Sequence, residues 1–260
     1  MFKPPSVWLT VLSIVWLVTS GVLVGMTNAY LDYTSPFVNI PIGQRSRVHD
    51  PLLEAMHFLF IKLHLPQKLP DMLVSLAPVI IGVRVVCGGH NKWVLLRRAC
   101  WMIGAGYLMR VPFTLMTVLP NSNLDCHINP NPNFFLYSLE LTLQLKKSCG
   151  DVVFSGHTVM FMSACLLWHH NPLKGWARWI NSIVWIYSTA GISSLIAATS
   201  HYTIDCVLSM AFMLFVWKLY HFALYNDSMR TTNISWIIHH LDGCPEFVYS
   251  KLPLKTSDQC

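Results

Sequence analysis

Charged residues are scarce in this sequence. Asp, Glu, Lys and Arg account for 12% of the 260 residues, whereas hydrophobic residues account for 53%. An ordinary soluble domain carries about 25% charged residues. The composition therefore excludes an ordinary soluble domain and indicates an integral membrane protein.

Several functional signatures are also missing. The eight cysteines are scattered, without the paired spacing of a zinc site, and we expect no metal and no cofactor. No internal repeat, low-complexity tract or appended soluble domain is evident. Nothing resembles a nucleic-acid-binding surface, so the net charge of +6 is assigned to membrane topology and to attraction for anionic lipids. We expect the function to reside in membrane helices.

Six apolar runs are present, several of them about as long as the roughly 20 residues that a helix needs to cross a bilayer. They predict an all-α fold in which residues 1–260 form a single integral membrane bundle of six transmembrane helices. The first run is too long for a simple signal peptide, and we expect it to be an anchor. The predicted spans are 7–29, 72–87, 93–119, 152–168, 176–199 and 204–225.

Basic residues predict the orientation of these helices. With the amino terminus in the cytosol, eleven of the 18 Lys and Arg residues lie on the cytosolic side, six lie on the other side and Arg110 lies within a span. This excess predicts that both termini, including a short tail at 226–260, are cytosolic. The cytosolic residues are Lys3, Arg84, Lys92, Arg97, Arg98, Lys174, Arg178, Lys218, Arg230, Lys251 and Lys255, and the others are Arg45, Arg47, Lys62, Lys68, Lys146 and Lys147.

Two polar connections, 31–69 and 121–145, lie on the predicted outer side. We interpret both as loops, and the charged stretch at 45–50 as lying on lipid headgroups rather than forming a substrate site. The Leu-Pro-Asp triplet that ends at Asp71 is explained by helix initiation, because proline suits a first helical turn and aspartate complements the positive helix end.

Two features of the second connection stay open. Cys126 and Cys149 both lie on the outer side, where a disulfide is permitted, but unpaired cysteines are equally favoured. Glu140 is close enough in sequence to the next motif to reach a site there, and the sequence does not decide whether it does.

Ionisable residues stand at the start of two apolar runs, in CGDVVFSGHT at 149–158 and HYTID at 201–205. Placing a charge in the middle of a membrane costs roughly 2.5–3.5 kcal/mol or more. His201 and Asp205 are four residues apart and share a face of a helix, so the carboxylate can fix the tautomer of the imidazole and leave its other nitrogen nucleophilic. His157, about a turn and a half into its span, lies at similar depth, and the two histidines can flank one phosphorus.

Neighbouring residues suit the same chemistry. Both helices start at the outer face, where their positive ends favour a phosphate. Gly156 leaves room for a phosphodiester, Ser155 offers a hydroxyl, and Arg110 and Tyr202 are predicted to bind the phosphate. For Arg110 a salt bridge with an outer acid is nearly as well supported. Packed histidines and a buried His–Asp bond are the alternatives, but the coincidence of depth favours catalysis.

At these residues the sequence resembles the sphingomyelin synthase family, a branch of the type 2 phosphatidic-acid phosphatase superfamily. The two motifs above carry the resemblance. Weaker matches are Leu69-Pro70-Asp71, Arg97, Arg98, Tyr107, Arg110 and Leu119-Pro120.

The resemblance implies a transferase that moves a phospho-headgroup from a glycerophospholipid to the primary hydroxyl of ceramide and releases diacylglycerol. His201 would attack phosphorus, oriented by Asp205, to give a phosphohistidine. His157 would act first as acid and then as base, assisted by Asp151.

The implied partners are membrane lipids, and homo-oligomerisation stays open. Phosphatidylcholine is the favoured donor, phosphatidylethanolamine the next, and an inositol headgroup stays open. The site is expected on the lumenal or exterior face of the Golgi, the plasma membrane or both, and the sequence does not choose between these membranes.

Two other functions compete with this one. A lipid phosphate phosphatase normally has an arginine six residues before its nucleophilic histidine, where this chain has Leu195, so transfer is favoured over hydrolysis. A non-catalytic lipid-binding membrane protein is the other alternative.

Overall fold

The computed structural model describes residues 7–34, 40–41, 44–117, 119–150, 153–172, 178–226 and 238. The described part is all-α, as predicted, and contains eight α-helices, a short 3-10 helix at Gly89–Asn91 and no β-strand. The helices are α1 (Val7–Thr34), α2 (Pro51–Lys62), α3 (Leu69–Val86), α4 (Lys92–Met116), α5 (Phe134–Thr142), α6 (Gly156–His170), α7 (Arg178–Ala197) and α8 (Thr203–Tyr225).

Several polar side chains of α1 face inward, and many of its apolar side chains face outward. Thr10, Ser13 and Asp32 are buried, whereas Trp8 and Val18 are more than half exposed. The hydroxyl of Ser13 donates to the carbonyl of its own helix at residue 10, which satisfies it without water. Outward apolar surface of this kind is stable only against lipid, and it supports an integral membrane protein.

Four helices in the described part of the chain are long and apolar enough to cross a membrane, namely α1, α3, α7 and α8. The helix α4 has 25 residues but carries four basic side chains, and α6 has only 15 residues, about 22 Å of helix against a hydrocarbon core of about 30 Å. The prediction of six spans with cytosolic termini therefore stays a prediction. Apart from residues 226 and 238, the predicted tail lies outside the described residues.

The two predicted outer loops contain helices, so their interpretation as loops is wrong. Asp50 accepts from Leu53 N at 3.1 Å and caps α2, which packs against α7. Asn133 accepts from the second and third residues of α5 and caps that helix. Both helices are short, and the polar residues around them hid them in the composition.

Asp50 also fastens the first connection to α8. Its carboxylate accepts from the backbone N–H of Thr203 at 2.8 Å and from the Thr203 hydroxyl at 2.9 Å. Burial raises the pKa of Asp50, but the bonds from Thr203 and Leu53 outweigh it and hold this pKa below its ordinary value. The charged stretch at 45–50 thus packs on the helix that follows the second motif.

The short helix α6 is the centre of the bundle. Eleven of its 15 residues are buried, and it contacts α3, α4, α7 and α8. Its side chains join one large hydrophobic core with those of α4, α7 and α8. This central position fixes the amino-terminal end of α6, where the first motif lies.

A buried carboxylate holds the segment that leads into α6. Asp32, 2% exposed at the end of α1, accepts hydrogen bonds from Tyr137 Oη, Ser148 Oγ and the backbone N–H groups of Cys149 and Gly150, at 2.8 to 3.0 Å. A Cβ at residue 150 would lie 2.8 Å from the Cβ of residue 31, so a glycine is required there. The Cys126–Cys149 disulfide, which the sequence left open, closes the same segment onto the α4–α5 connection.

We predict that Asp32→Ala destabilises the protein more than Tyr137→Phe does. The alanine variant leaves several buried donors without an acceptor, at about 1–3 kcal/mol each, whereas the phenylalanine variant removes one donor together with its bond. The melting temperature in detergent, followed by tryptophan fluorescence, should fall by roughly 4–10 °C for Asp32→Ala. Asp32→Asn keeps one acceptor oxygen and should lie between the two. Equal losses in the alanine and phenylalanine variants would contradict the role of Asp32.

Candidate active site

A cavity of about 350 Å³ lies where the two sequence motifs meet. His157 and His201 both line it, and their ring centroids are 5.7 Å apart. The remaining wall comes from α1, α3, α4 and α5, from the α4–α5 connection and from the segment that precedes α6. The structure therefore brings the two predicted histidines together in a space that can hold a polar group.

His157 is the second residue of α6, and so it lies closer to the helix end than predicted. Ser155 caps the helix by accepting from Thr158 N at 3.2 Å, and its side chain is buried. The oxygen of Ser155 therefore stabilises the helix end, and Ser155 does not line the cavity. Phe154, just before it, has a left-handed backbone with φ of 68° and packs between Phe113 and Phe212.

His201 precedes α8 and is not part of it. The prediction that His201 and Asp205 share a face of one helix is therefore wrong. Tyr202 is the N-cap residue with an extended backbone, and the chain turns there. His201 Nδ1 nevertheless lies 3.9 Å from Asp205 Oδ2, and both side chains are buried. A separation of 3.9 Å is an ion-pair distance and is too long for a hydrogen bond. Asp205 Oδ2 accepts a hydrogen bond from Tyr202 N at 2.9 Å.

The hydroxyl of Tyr202 is hydrogen-bonded to two backbone groups from other parts of the chain. It donates to the carbonyl of Pro120 at 3.1 Å and accepts from Val48 N at 3.0 Å. Tyr202 does not line the cavity. The geometry therefore gives no support to the phosphate-binding role predicted for this residue.

The guanidinium of Arg110 lies against Gly156 at the cavity wall. A Cβ placed on residue 156 would be 2.3 Å from Arg110 Nη1, so only glycine leaves the guanidinium in place. Arg110 is 5% exposed, and its charge acts on both His157 and Asp205. A buried guanidinium in the same cavity wall as two histidines is suited to hold the non-bridging oxygens of a phosphate.

Asp71 and Lys147 also line the cavity, although neither was predicted from the sequence to be a site residue. Lys147 Nζ contacts Asp71 Oδ2 at 2.5 Å, and Asp71 Oδ1 lies 3.8 Å from His157 Nε2. The triplet that ends at Asp71 does start α3, as predicted, but its carboxylate makes no capping bond there. The available signal was an acid at the outer end of a span, matched by a lysine next to the first motif.

Two other predicted residues are placed differently. Glu140 forms an ion pair with Lys146 at 2.9 Å and does not line the cavity, although Lys146 does. Asp151 lies outside the described residues.

Residues 148–222 match a family model described as PAP2 superfamily C-terminal. This segment includes Ser155, Gly156, His157, His201 and Asp205, and it leaves out Asp71 and Arg110.

Three relatives extend the match beyond that segment. The chain is 28% identical over 207 residues to phosphatidylcholine:ceramide cholinephosphotransferase 1 of Caenorhabditis elegans, which covers 73% of this chain and 43% of that protein. It is 30% identical over 169 residues to sphingomyelin synthase-related 1 of Caenorhabditis elegans, which covers 60% and 34%. It is 29% identical over 150 residues to phosphatidylcholine:ceramide cholinephosphotransferase 2 of Homo sapiens, which covers 50% and 40%.

The chain thus spans less than half the length of these relatives. Two of these relatives are named as ceramide cholinephosphotransferases and the third as sphingomyelin synthase-related, and the segment matched by the family model carries both histidines of the cavity. The resemblance of this chain to the sphingomyelin synthase family of PAP2-type membrane transferases is therefore confirmed.

Proposed function

We propose that this membrane protein transfers a phospho-headgroup from a glycerophospholipid to the primary hydroxyl of ceramide and releases diacylglycerol. The observation that carries the proposal is the pair His157 and His201, 5.7 Å apart at one cavity beside the buried Arg110. Each histidine stands at the amino-terminal end of a helix, α6 or α8, where the positive end of the dipole favours an anion.

In the first half-reaction His201 acts as the nucleophile. Its Nδ1 faces Asp205, which leaves Nε2 to attack phosphorus. A bond forms between this nitrogen and phosphorus while the bond from phosphorus to the glycerol oxygen breaks. His157 donates a proton to the departing diacylglycerol oxygen, and Arg110 stabilises the charge on the phosphoryl oxygens.

The second half-reaction runs through the same groups in reverse. The ceramide hydroxyl gives its proton to the neutral His157, and its oxygen attacks the phosphorus of the phosphohistidine. The bond between His201 and phosphorus breaks, which restores the enzyme for the next donor. His157 thus recovers from ceramide the proton that it gave to diacylglycerol, and no net proton is consumed.

Choline is the proposed headgroup, because the relatives are named for phosphatidylcholine. Ethanolamine is the second choice. The lipid partners are accordingly ceramide, the glycerophospholipid donor and diacylglycerol.

We predict that purified protein in mixed micelles converts a fluorescent ceramide into one new phosphosphingolipid when phosphatidylcholine is supplied. Parallel reactions contain phosphatidylethanolamine or phosphatidylinositol. His201→Ala and His157→Ala should each lower the rate at least about a hundredfold, because each removes a group that makes or breaks a bond. Ceramide binding and elution as a folded species in gel filtration serve as controls.

Other results would assign a different function. Phosphate released from phosphatidic acid, without any ceramide product, would identify a lipid phosphatase. Ceramide binding without any product from any of these lipids would identify a non-catalytic lipid-binding protein.

We predict that Gly156→Ala lowers kcat because the added methyl group displaces the Arg110 guanidinium. A shift of about 1 Å in a group that holds the transition state can cost roughly a hundredfold. Gly82→Ala is the matched control, since a Cβ on this exposed glycine of α3 meets nothing within 4 Å. Arg110→Lys keeps the charge but loses the bidentate geometry, and its kcat should also fall. Unchanged kcat in Gly156→Ala would contradict the placement of Arg110.

We further propose that the chain is a single domain of six spans, with cytosolic termini and the cavity on the lumenal or exterior face of the Golgi or plasma membrane. Two observations support this orientation. Basic residues are more frequent on the predicted cytosolic side, and the Cys126–Cys149 disulfide is adjacent to the cavity, where an oxidising compartment would preserve it.

Glycosylation tests this orientation within one chain. Asp125→Thr creates the acceptor Asn123-Leu124-Thr on the cavity side, and we predict a shift in gel mobility that a glycosidase reverses. The natural acceptors at Asn226 and Asn233 lie on the predicted cytosolic side, so Asn226→Gln and Asn233→Gln should each leave the mobility unchanged. A glycan at either residue would reverse the proposed orientation.

A further inference from the structure

Asp71 lies beside the proposed acid–base histidine as well as in the first turn of its own helix. It is the third residue of α3, and the hydrogen bond that its side chain accepts comes from Lys147. Oδ1 lies 3.8 Å from His157 Nε2, and Oδ2 contacts Lys147 Nζ at 2.5 Å. One carboxylate is therefore shared between the histidine and a lysine.

The two nitrogens of His157 differ in their surroundings. Nδ1 is buried and has no hydrogen-bond partner within the part of the chain that the structure describes. Nε2 lies on the Asp71 side, and 29% of the imidazole side chain is exposed at the cavity. Nε2 is therefore the nitrogen that can exchange a proton with a bound lipid.

The charges around this imidazole come from several elements. Arg110 on α4 and Lys147 before α6 are cations, whereas Asp71 on α3 is an anion, and the ring of His201 before α8 completes the surroundings. Both cations oppose a positive charge on the imidazole. Asp71 opposes them, at a distance where a carboxylate still favours the charged form.

Resting on the function proposed above, we propose that Asp71 is a positioning residue that favours the protonated form of His157 for the departure of diacylglycerol, and that Lys147 limits this effect. A general acid that must also act as base needs a balanced environment. A carboxylate without a partner would hold the proton too firmly for the first step, while its absence would leave the burial of the ring and the two cations unopposed. The Asp71–Lys147 pair supplies the balance, and protons move only between Nε2 of His157 and the two lipid oxygens.

The pH dependence of transfer tests the pair, because its two members act in opposite directions. The first step needs protonated His157, so the rate falls at alkaline pH. Asp71→Asn should move this alkaline limb to lower pH by about one pH unit and lower kcat roughly tenfold to a hundredfold, with little change in KM. Lys147→Gln should move the limb to higher pH, and Asp71→Glu should restore most of the wild-type profile.

Glu140→Gln is the matched control. It breaks the neighbouring Lys146–Glu140 ion pair, in which neither residue acts on His157. Its alkaline limb should coincide with that of the wild type. Coincident limbs for wild type, Asp71→Asn and Lys147→Gln would overturn the inference, and so would a shift of equal size in Glu140→Gln.

A second measurement does not depend on turnover. Diethylpyrocarbonate modifies neutral imidazole, so mass spectrometry of His157 across pH reports its protonation directly. The midpoint of modification should move to lower pH in Asp71→Asn and to higher pH in Lys147→Gln. Unchanged midpoints would overturn the inference even if transfer is intact. Shifted midpoints in a protein that forms no ceramide product would support the inference about His157 and overturn the proposed function alone.

Discussion

The site depends on the bonds that Asp32 makes at the end of α1. This carboxylate has four donors, and two of them are backbone N–H groups of the segment that enters α6. A buried donor left without an acceptor costs more than a typical hydrogen bond contributes, so these bonds hold the segment against α1. α6 begins six residues after Gly150, and its packing against four helices fixes the position of His157 together with these bonds.

A residue with a left-handed backbone lies three positions before His157 and another lies two positions before His201. Phe154 has a φ of 68° and Thr199 a φ of 56°, a conformation that costs free energy for any residue with a side chain. The ring of Phe154 is locked between two other phenylalanines, and the carbonyl of Thr199 accepts from Ser122 at 2.9 Å. Packing and hydrogen bonding thus hold two sharp turns in place, and these turns aim the chain so that both helices start at the cavity.

Ionisable residues within apolar runs could be predicted from the sequence as site residues. A histidine or arginine in an apolar run is costly, so His157, His201 and Arg110 stood out, and the spacing of Gly156 placed it beside them. The all-α fold followed from the apolar runs for the same reason.

The remaining residues depend on contacts between distant parts of the chain. Asp71 meets a lysine 76 positions later, and Asp50 accepts a hydrogen bond from the first residue of a helix 153 positions later, so neither partner is visible in a local pattern. The exact start of α8 was also beyond local spacing, because Tyr202 turns the chain between His201 and Asp205. Two residues four positions apart can both lie in a helix. They can also lie as His201 and Asp205 do, with the first in a turn and the second in the helix that follows it.

The cavity is formed by residues 148–222 together with earlier helices, and both parts bear on which headgroup the site accepts. The segment at 148–222 contains both histidines and Asp205, the residues proposed to act on the phosphate that every donor shares. Another part of the cavity wall comes from α1 and α5, where a Cβ on Gly25 would lie 2.0 Å from Thr142 Oγ1. That close packing holds α1 and α5 together at this wall. Under the proposed function, a headgroup attached to the phosphate extends into the cavity, so an account of headgroup choice has to include α1 and α5 as well as the two motifs.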